Sequence, residues 1–229
     1  NEATAGIYTD LGLLTADKEI SLEVSRVFGM LENNLERHAF RHLLVSPFNT
    51  RRKLMALIER EIKFAKAKKP AHIRLKFNNL TDIKMIDKLY AASKAGVKIE
   101  LIIRGICCLK PGVKGLSDNI TAISIVDRYL EHARFFIFSN NGKPEYFISS
   151  ADWMERNLYQ RIEVGALIKD VRIQKEIDLI FEYQLKGSVK ARSISADYKN
   201  AYSKRNLPPF HAQRELYEHY KRLSEEVAQ

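Results

Sequence analysis

The sequence predicts an α/β fold in which a mixed, mainly parallel sheet is flanked by helices. Between residues 42 and 103, three short apolar segments alternate with two segments whose apolar residues have helical spacing. Strands separated by helices of about 10–15 residues are typical of parallel sheets with helices on their faces. Of the 229 residues 45% are hydrophobic, so the chain can bury a core and a disordered chain is excluded.

The first helix is predicted over residues 19–35, where Ile20, Val24 and Val27 begin the helical spacing and Asp17 is suited to cap the amino terminus. Strands and helices then alternate. They are a strand over 42–46, a helix from 49 or 50 to 66, a strand over 71–77, a helix over 81–95 closed by Gly96, and a strand over 97–103.

The pattern changes after Gly105, where a loop rich in glycine and proline is followed by shorter apolar segments. Asn140-Asn141-Gly142 predicts a hairpin turn, because these residues readily adopt positive φ. A helix over 171–185 and a polar helix from His211 onward complete the prediction. The short strands are predicted over 121–126, 132–139, 146–149 and 162–168.

The positive charge is concentrated in one part of the chain. The formal net charge is +10, but residues 41–110 alone hold 17 basic and 5 acidic residues, a net of +12. Residues 1–40 carry a net charge of −4, and residues 111–229 carry +2. Such a basic block predicts a polyanionic partner, which the charge alone leaves open between nucleic acid, a phospholipid head group, a nucleotide and a phosphate polymer.

Residue usage excludes two classes of protein. The longest run free of Asp, Glu, Lys and Arg is the nine residues 42–50, far short of the ~20 apolar residues that a membrane-spanning helix needs. The only two cysteines, Cys107 and Cys108, are adjacent, which excludes a disulfide framework and suits a reducing compartment.

The first candidate site is Arg51-Arg52-Lys53, which places three cations in the first turn of a predicted helix. The helix dipole disfavours each of them by ~0.3–1 kcal/mol. A bound anion would relieve this conflict, so Arg51 and Arg52 are candidate phosphate-binding residues. A solvated cluster explains the same pattern equally well.

The second candidate is Arg104, which ends a strongly apolar strand. In open parallel sheets ligands bind outside the carboxyl ends of strands, so Arg104 is expected to point at a ligand. A guanidinium suits phosphate, because its planar donors hold two oxygens at once and it keeps its charge. The alternative is an arginine that caps carbonyl groups at the strand end.

The third candidate is Glu131-His132-Ala133-Arg134. Because residues i and i+2 of an extended segment share a face, His132 and Arg134 are expected to project together. Facing a phosphoryl group, a histidine can donate a proton or attack phosphorus, while Arg134, a further candidate phosphate ligand, offsets charge on the oxygens. Taken alone, the pattern is more often that of a structural histidine.

Four longer strings, over residues 8–15, 104–116, 130–134 and 148–154, together resemble the C-terminal region of the bacterial polyphosphate kinase family. The resemblance implies phospholipase D-like domains, with residues 43–229 as the C-terminal one and residues 1–42 as the tail of a preceding one. The His132-Ala133-Arg134 box has Arg where phospholipase D has Lys. This difference favours phosphate binding and argues against independent phosphodiesterase activity.

The resemblance also implies a chemistry, the reversible transfer of the terminal phosphate of ATP to inorganic polyphosphate through a phosphohistidine, with Mg²⁺. Tyr8 matches an adenine-side ATP contact, Arg104 a phosphate contact, and His132 the second active-site histidine, which is catalytic and binds ATP. The family's phosphorylated histidine and its Mg²⁺-associated arginines lie upstream of the Tyr8 string. The isolated chain is therefore expected to bind ATP or polyphosphate weakly and not to turn over.

The enzyme implied by the resemblance is a cytoplasmic homo-oligomer, with contact to a membrane surface left open. Its partners are ATP, ADP and polyphosphate, and no nucleic acid is expected. One alternative is a phospholipase D-type phosphodiesterase, which needs two His-x-Lys boxes where only the His132 box is present. The other is a nucleic-acid-binding module, which is disfavoured because the basic block holds few aromatic residues for stacking.

Overall fold

Ten strands and six α-helices make up the described part of the chain. The computed structural model describes residues 2–33, 38–197, 199–203 and 208–227. The strands are β1 (Tyr8–Thr9), β2 (Leu43–Ser46), β3 (His72–Phe77), β4 (Lys98–Ile103), β5 (Ile120–Ile125), β6 (Leu130–Glu131), β7 (Arg134–Phe138), β8 (Glu145–Ser149), β9 (Glu163–Ile168) and β10 (Ala191–Ile194). The helices are α1 (Glu2–Ala5), α2 (Lys18–Glu32), α3 (Thr50–Lys66), α4 (Ile83–Lys94), α5 (Val171–Lys186) and α6 (Ala212–Val227).

Eight strands form one mixed sheet in the order β10-β5-β4-β3-β7-β8-β9-β2. The neighbours β3, β4 and β5 pair in parallel, and all other neighbours pair antiparallel. The α/β class with a mixed sheet is confirmed, but the expectation of a mainly parallel sheet is wrong. The connection from β7 to β8 over residues 139–144 is too short for the crossover that a parallel pair requires.

The two faces of the sheet carry separate apolar cores. Helices α3 and α4 cover one face, where Ile58 and Leu89 pack against the sheet, and α5 covers the other through Phe181. Strand β7 contributes to both, because Phe136 faces the first core and its neighbour Phe135 faces the second. Helix α6 packs on α5. No described helix is both long and apolar enough to cross a bilayer.

A buried carboxylate fixes α2 to the edge of the sheet. Glu23 is 2% exposed, and its two oxygens accept hydrogen bonds from the backbone N–H groups of Arg41, His42 and Leu43 at 2.6–3.2 Å. Burial alone would raise the pKa of Glu23, but the three N–H donors outweigh it and lower the pKa. Helix α2 thus packs on β2 and β9, while the assignment of residues 1–42 to a preceding domain stays a prediction.

The predicted strands and helices are confirmed, with bounds that shift by a residue or two, except at the end of α2. This helix ends at Glu32 because Asn33 is extended, with φ −133°. Residues 34 and 35 of that prediction lie outside the described residues. Strand β10, the π-helical turn Arg156–Gln160 and the two-stranded ribbon of β1 and β6 were not predicted. Strands as short as β1 and β6 have no detectable periodicity, and their pairing is long-range.

We expect Glu23→Ala to lower the free energy of unfolding by about 3 kcal/mol, because it leaves three backbone donors without their acceptor. Since the pKa of Glu23 is lowered in the folded chain, this stabilisation is complete above the ordinary pKa of 4.5 and is lost as the pH falls through the lowered value. Urea unfolding at several pH values measures it. Glu32→Ala, an exposed change on the same helix, is the control, and equal losses for both variants would refute the anchoring role.

Candidate active site

One edge of the sheet collects the polar side chains of the site. The pairing directions put the carboxyl ends of β3, β4 and β8 at this edge, together with the amino end of β7. Asn78 and Asn79 follow β3, Arg104 follows β4, Asp152 lies beyond β8, and Arg134 begins β7. Ligands of open α/β sheets bind at such an edge.

His132 lies between β6 and β7 and is held from two sides. Its Nδ1 is 2.6 Å from Oδ2 of Asp10, and its backbone N–H donates to the Thr9 carbonyl at 3.0 Å. Nη1 of Arg134 lies 3.2 Å from each ring nitrogen and donates to the His132 carbonyl at 2.9 Å. With Nδ1–H donated to Asp10, the ring keeps Nε2 for proton exchange with a ligand.

The buried carboxylate of Asp152 fixes Arg134. Nε of Arg134 donates to Oδ1 of Asp152 at 3.2 Å, and the same oxygen accepts the backbone N–H of Asn78 at 2.8 Å. Oδ2 accepts the side-chain amide of Asn79 at 3.0 Å. The side chain of Asp152 is 5% exposed, so its charge has to be paired and hydrogen-bonded, and all these partners come from neighbouring strand ends.

Arg104 points into the same edge. Its Nε donates to Oδ1 of Asn78 at 3.0 Å, which is a side-chain amide and not a strand-end carbonyl. Among the described residues no carboxylate pairs with this guanidinium, so its terminal N–H groups are available to an anion. Gly105 follows because a Cβ at this position would lie 2.6 Å from Oδ1 of Asn79 and 3.0 Å from the Asn78 carbonyl.

Tyr8 and a cavity border His132. The rings of Tyr8 and His132 meet edge to face, with centroids 4.8 Å apart, and Tyr8 is 41% exposed. A cavity of about 380 Å³ opens beside residues 10–15 and is lined in part by His132, Arg134 and Ser149. Its volume is in the range of small-molecule sites. The structure therefore brings Tyr8, His132 and Arg134 together at this edge, where Asn78 links them to Arg104.

A second buried ion pair lies next to the segment that carries His132. Nζ of Lys76 is 3.1 Å from Oε2 of Glu131, and the two side chains are 3% and 5% exposed. Burial lowers the pKa of Lys76, the carboxylate of Glu131 opposes this, and Arg104 and Arg134 add to the lowering. Glu131 is thus the counter-ion that keeps a buried lysine compatible with the two arginines nearby.

Arg51 and Arg52, at the start of α3, are not joined to this cluster by any contact within the described residues. Arg51 stacks over the ring of Tyr159, 4.9 Å from its centroid. Nζ of Lys53 donates to two main-chain carbonyls in residues 41–43, at 2.6 and 3.2 Å. Two cations of this turn therefore have partners within the protein, and phosphate binding by Arg51 and Arg52 stays a prediction.

The site residues do not fit a Mg²⁺ centre. Within the described ranges, no group of three or more His, Cys, Asp or Glu side chains is arranged to hold a metal ion. The carboxylates at the edge, Asp10 and Asp152, already contact His132 and Arg134. No step of the chemistry is therefore assigned to a metal held by these residues.

The sequence reasoning missed the residues that orient the predicted ones. Asn78 and Asn79 directly follow an apolar strand, so the rule that selected Arg104 also selects them. Asp152 lies in the string over 148–154 but carries no role there. Asp10 has no local signal at all, because its contact with His132 spans 122 positions of the chain.

Known proteins resemble this chain over nearly its whole length. A family model described as "Polyphosphate kinase C-terminal domain 2" matches residues 43–213. The polyphosphate kinase of Vibrio cholerae is 50% identical over 99% of this chain and 32% of its own length, and that of Escherichia coli is 46% identical over 98% and 33%. The crystal structure of polyphosphate kinase from Porphyromonas gingivalis matches with a TM-score of 0.94 at 44% identity, over 99% of this chain and 35% of that one.

A sheet edge that presents two arginines and a histidine beside a cavity defines a phosphate-binding α/β protein. The comparisons make this class specific: the chain belongs to the polyphosphate kinase family. The resemblance inferred from the four strings is thereby confirmed. The chain spans about a third of the length of the curated relatives that it matches.

We expect Lys76→Met to lower the free energy of unfolding by ~3–5 kcal/mol, because it leaves the buried charge of Glu131 unpaired. The double variant Lys76→Met/Glu131→Gln removes both charges and should recover most of the loss. Urea unfolding of the three proteins measures this. A double variant that is no more stable than Lys76→Met would show that the pair contributes through shape and not through charge.

Proposed function

We propose that this chain forms one wall of the active site of a polyphosphate kinase, which transfers the terminal phosphate of ATP reversibly to inorganic polyphosphate. The observation that carries the proposal is the grouping of Arg104, His132 and Arg134 at one sheet edge beside a cavity. The relatives that are named polyphosphate kinase support the choice of substrates.

The two arginines supply the positive charge that phosphate requires. In phosphoryl transfer the protein mainly positions the reactants and stabilises charge on the phosphoryl oxygens. Asp152 holds Arg134 and Asn78 holds Arg104, so neither guanidinium has to reorganise when a phosphate binds. Asp152 offsets part of the charge of Arg134, whereas no described carboxylate offsets that of Arg104, which is therefore the stronger phosphate ligand.

His132 exchanges a proton with the substrate. Asp10 engages Nδ1, which leaves Nε2 to donate a hydrogen bond or a proton to a phosphoryl oxygen and to take it back in the reverse direction. The guanidinium of Arg134 next to the ring stabilises the negative charge that builds on that oxygen. Tyr8, partly exposed and in contact with His132, offers an aromatic surface for adenine.

Other parts of the reaction are proposed for the full-length protein that carries this chain. They are a phosphohistidine, Mg²⁺ and its ligands, assembly into a homo-oligomer, and a cytoplasmic location. We assign neither the phosphohistidine nor a Mg²⁺ ligand to the described residues, which do not fit a metal centre.

We expect Arg104→Ala to weaken the binding of ATP and of polyphosphate to this chain about 10- to 100-fold, because a charge-assisted hydrogen bond contributes ~1.5–3 kcal/mol. Isothermal titration calorimetry at fixed salt measures both affinities. The matched control is Arg172→Ala, which removes the same charge from a side chain that is 90% exposed at the opposite edge of the sheet. The control should change the affinities less than about twofold.

Three results would contradict the proposal. Equal losses in Arg104→Ala and Arg172→Ala would show that binding depends on net charge alone. Single-stranded DNA that competes as well as polyphosphate at fixed salt would favour the nucleic-acid-binding module. Hydrolysis of a chromogenic phosphodiester that is abolished by His132→Ala would favour the phosphodiesterase. Polyphosphate synthesis by this chain alone, at the rate of the full-length enzyme, would show that it is more than one wall of the site.

A further inference from the structure

The first turn of the last helix holds the segment that leads to His132. Nε2 of Gln213 donates to the Tyr129 carbonyl at 2.8 Å, and Oε1 of Gln213 accepts the Tyr129 N–H at 3.1 Å. One side chain thus satisfies both main-chain groups of a single residue, as a neighbouring strand would. The same Nε2 donates to Oε1 of Glu131 at 2.9 Å.

This grip covers one side of the segment, and β1 covers the other. Nε2 of His211, just before α6, is 3.2 Å from Oδ2 of Asp127, so alternate residues from 127 to 131 contact the start of this helix. The N–H groups of Leu130 and His132 instead donate to β1 and its flank, at 2.8 and 3.0 Å. The backbone path into His132 is therefore defined from both sides.

Glu131, the immediate neighbour of His132, connects this grip to the centre of the fold. Its carboxylate receives Gln213 on one oxygen, and Lys76 at 3.1 Å and Gln184 at 2.6 Å on the other. These donors come from α6, β3 and α5, so three elements meet at one buried group. A change in any of them would shift the residue next to the imidazole.

We propose that Gln213 is a positioning residue for His132, which acts by fixing the backbone of Tyr129 and the carboxylate of Glu131. The effect on turnover rests on the proposed function. Misplacement of a reacting group by about 1 Å can lower a rate ~100-fold. Loss of Gln213 should therefore lower kcat, whereas the affinity for ATP is largely retained because Arg104 lies on β4, outside the gripped segment.

The matched control is Gln174 in the first turn of α5, whose Nε2 donates to the Ile168 carbonyl at 2.8 Å at the opposite edge of the sheet. Gln174→Ala and Gln213→Ala each remove a glutamine that bonds a main-chain carbonyl at a helix start. In the full-length kinase, we expect kcat to fall about 10-fold in Gln213→Ala only, with KM for ATP within about threefold and similar Tm values for both variants. Equal kcat in the two variants, or a change confined to KM, would overturn the positioning role.

Amide hydrogen exchange provides a readout that does not depend on catalysis. In this chain, we expect the amides of Leu130 and His132 to exchange about 10-fold faster in Gln213→Ala than in Gln174→Ala, because the segment opens more readily. Unchanged exchange would overturn the inference. If the unsubstituted full-length protein makes no polyphosphate, the proposed function fails, and the exchange rates alone decide whether Gln213 positions the segment.

Discussion

The buried carboxylate of Asp152 is the interaction on which the arrangement of the candidate site depends. Asp152 lies beyond β8, accepts hydrogen bonds from Asn78 and Asn79 after β3, and pairs with Arg134 at the start of β7. It therefore joins the ends of three neighbouring strands. At 4% exposure it requires these partners, because a buried charge is costly unless it is paired and hydrogen-bonded. The direction of Arg134, and through it the contact with His132, follows from this requirement.

The same requirement explains what becomes of the basic block. Many of its cations are used inside the fold, in pairs of Arg60 with Glu145, Arg74 with Asp178, Lys76 with Glu131, Lys88 with Glu59 and Lys98 with Glu100. The net charge of +12 over residues 41–110 thus overstates the charge that a ligand meets. Arg104 differs, because no described carboxylate pairs with it and only a side-chain amide orients it. A polyanion is therefore expected to respond to this one arginine more than to the total.

Local patterns were sufficient for the helices and the longer strands, because apolar spacing and capping residues act over a few positions. They could not reveal that β7, β8, β9 and β2 pair antiparallel, since the alternation in the first half says nothing about these neighbours. At the site, strand-end position and i, i+2 spacing selected Arg104, His132 and Arg134. Their partners Asp10 and Asp152 depend on contacts between distant segments, which only the folded chain brings together. The choice of chemistry came from the family resemblance and not from spacing.

The most direct test of the role of Asp152 is the affinity of Asp152→Asn for inorganic tripolyphosphate, measured by calorimetry on a variant whose fold is checked by circular dichroism. The substitution removes a negative charge, so an effect of net charge alone would tighten anion binding. If the carboxylate acts by orienting Arg134 and the asparagines after β3, binding should instead weaken by about 10-fold. Equal or tighter binding by the folded variant would contradict the view that this buried carboxylate organises the site.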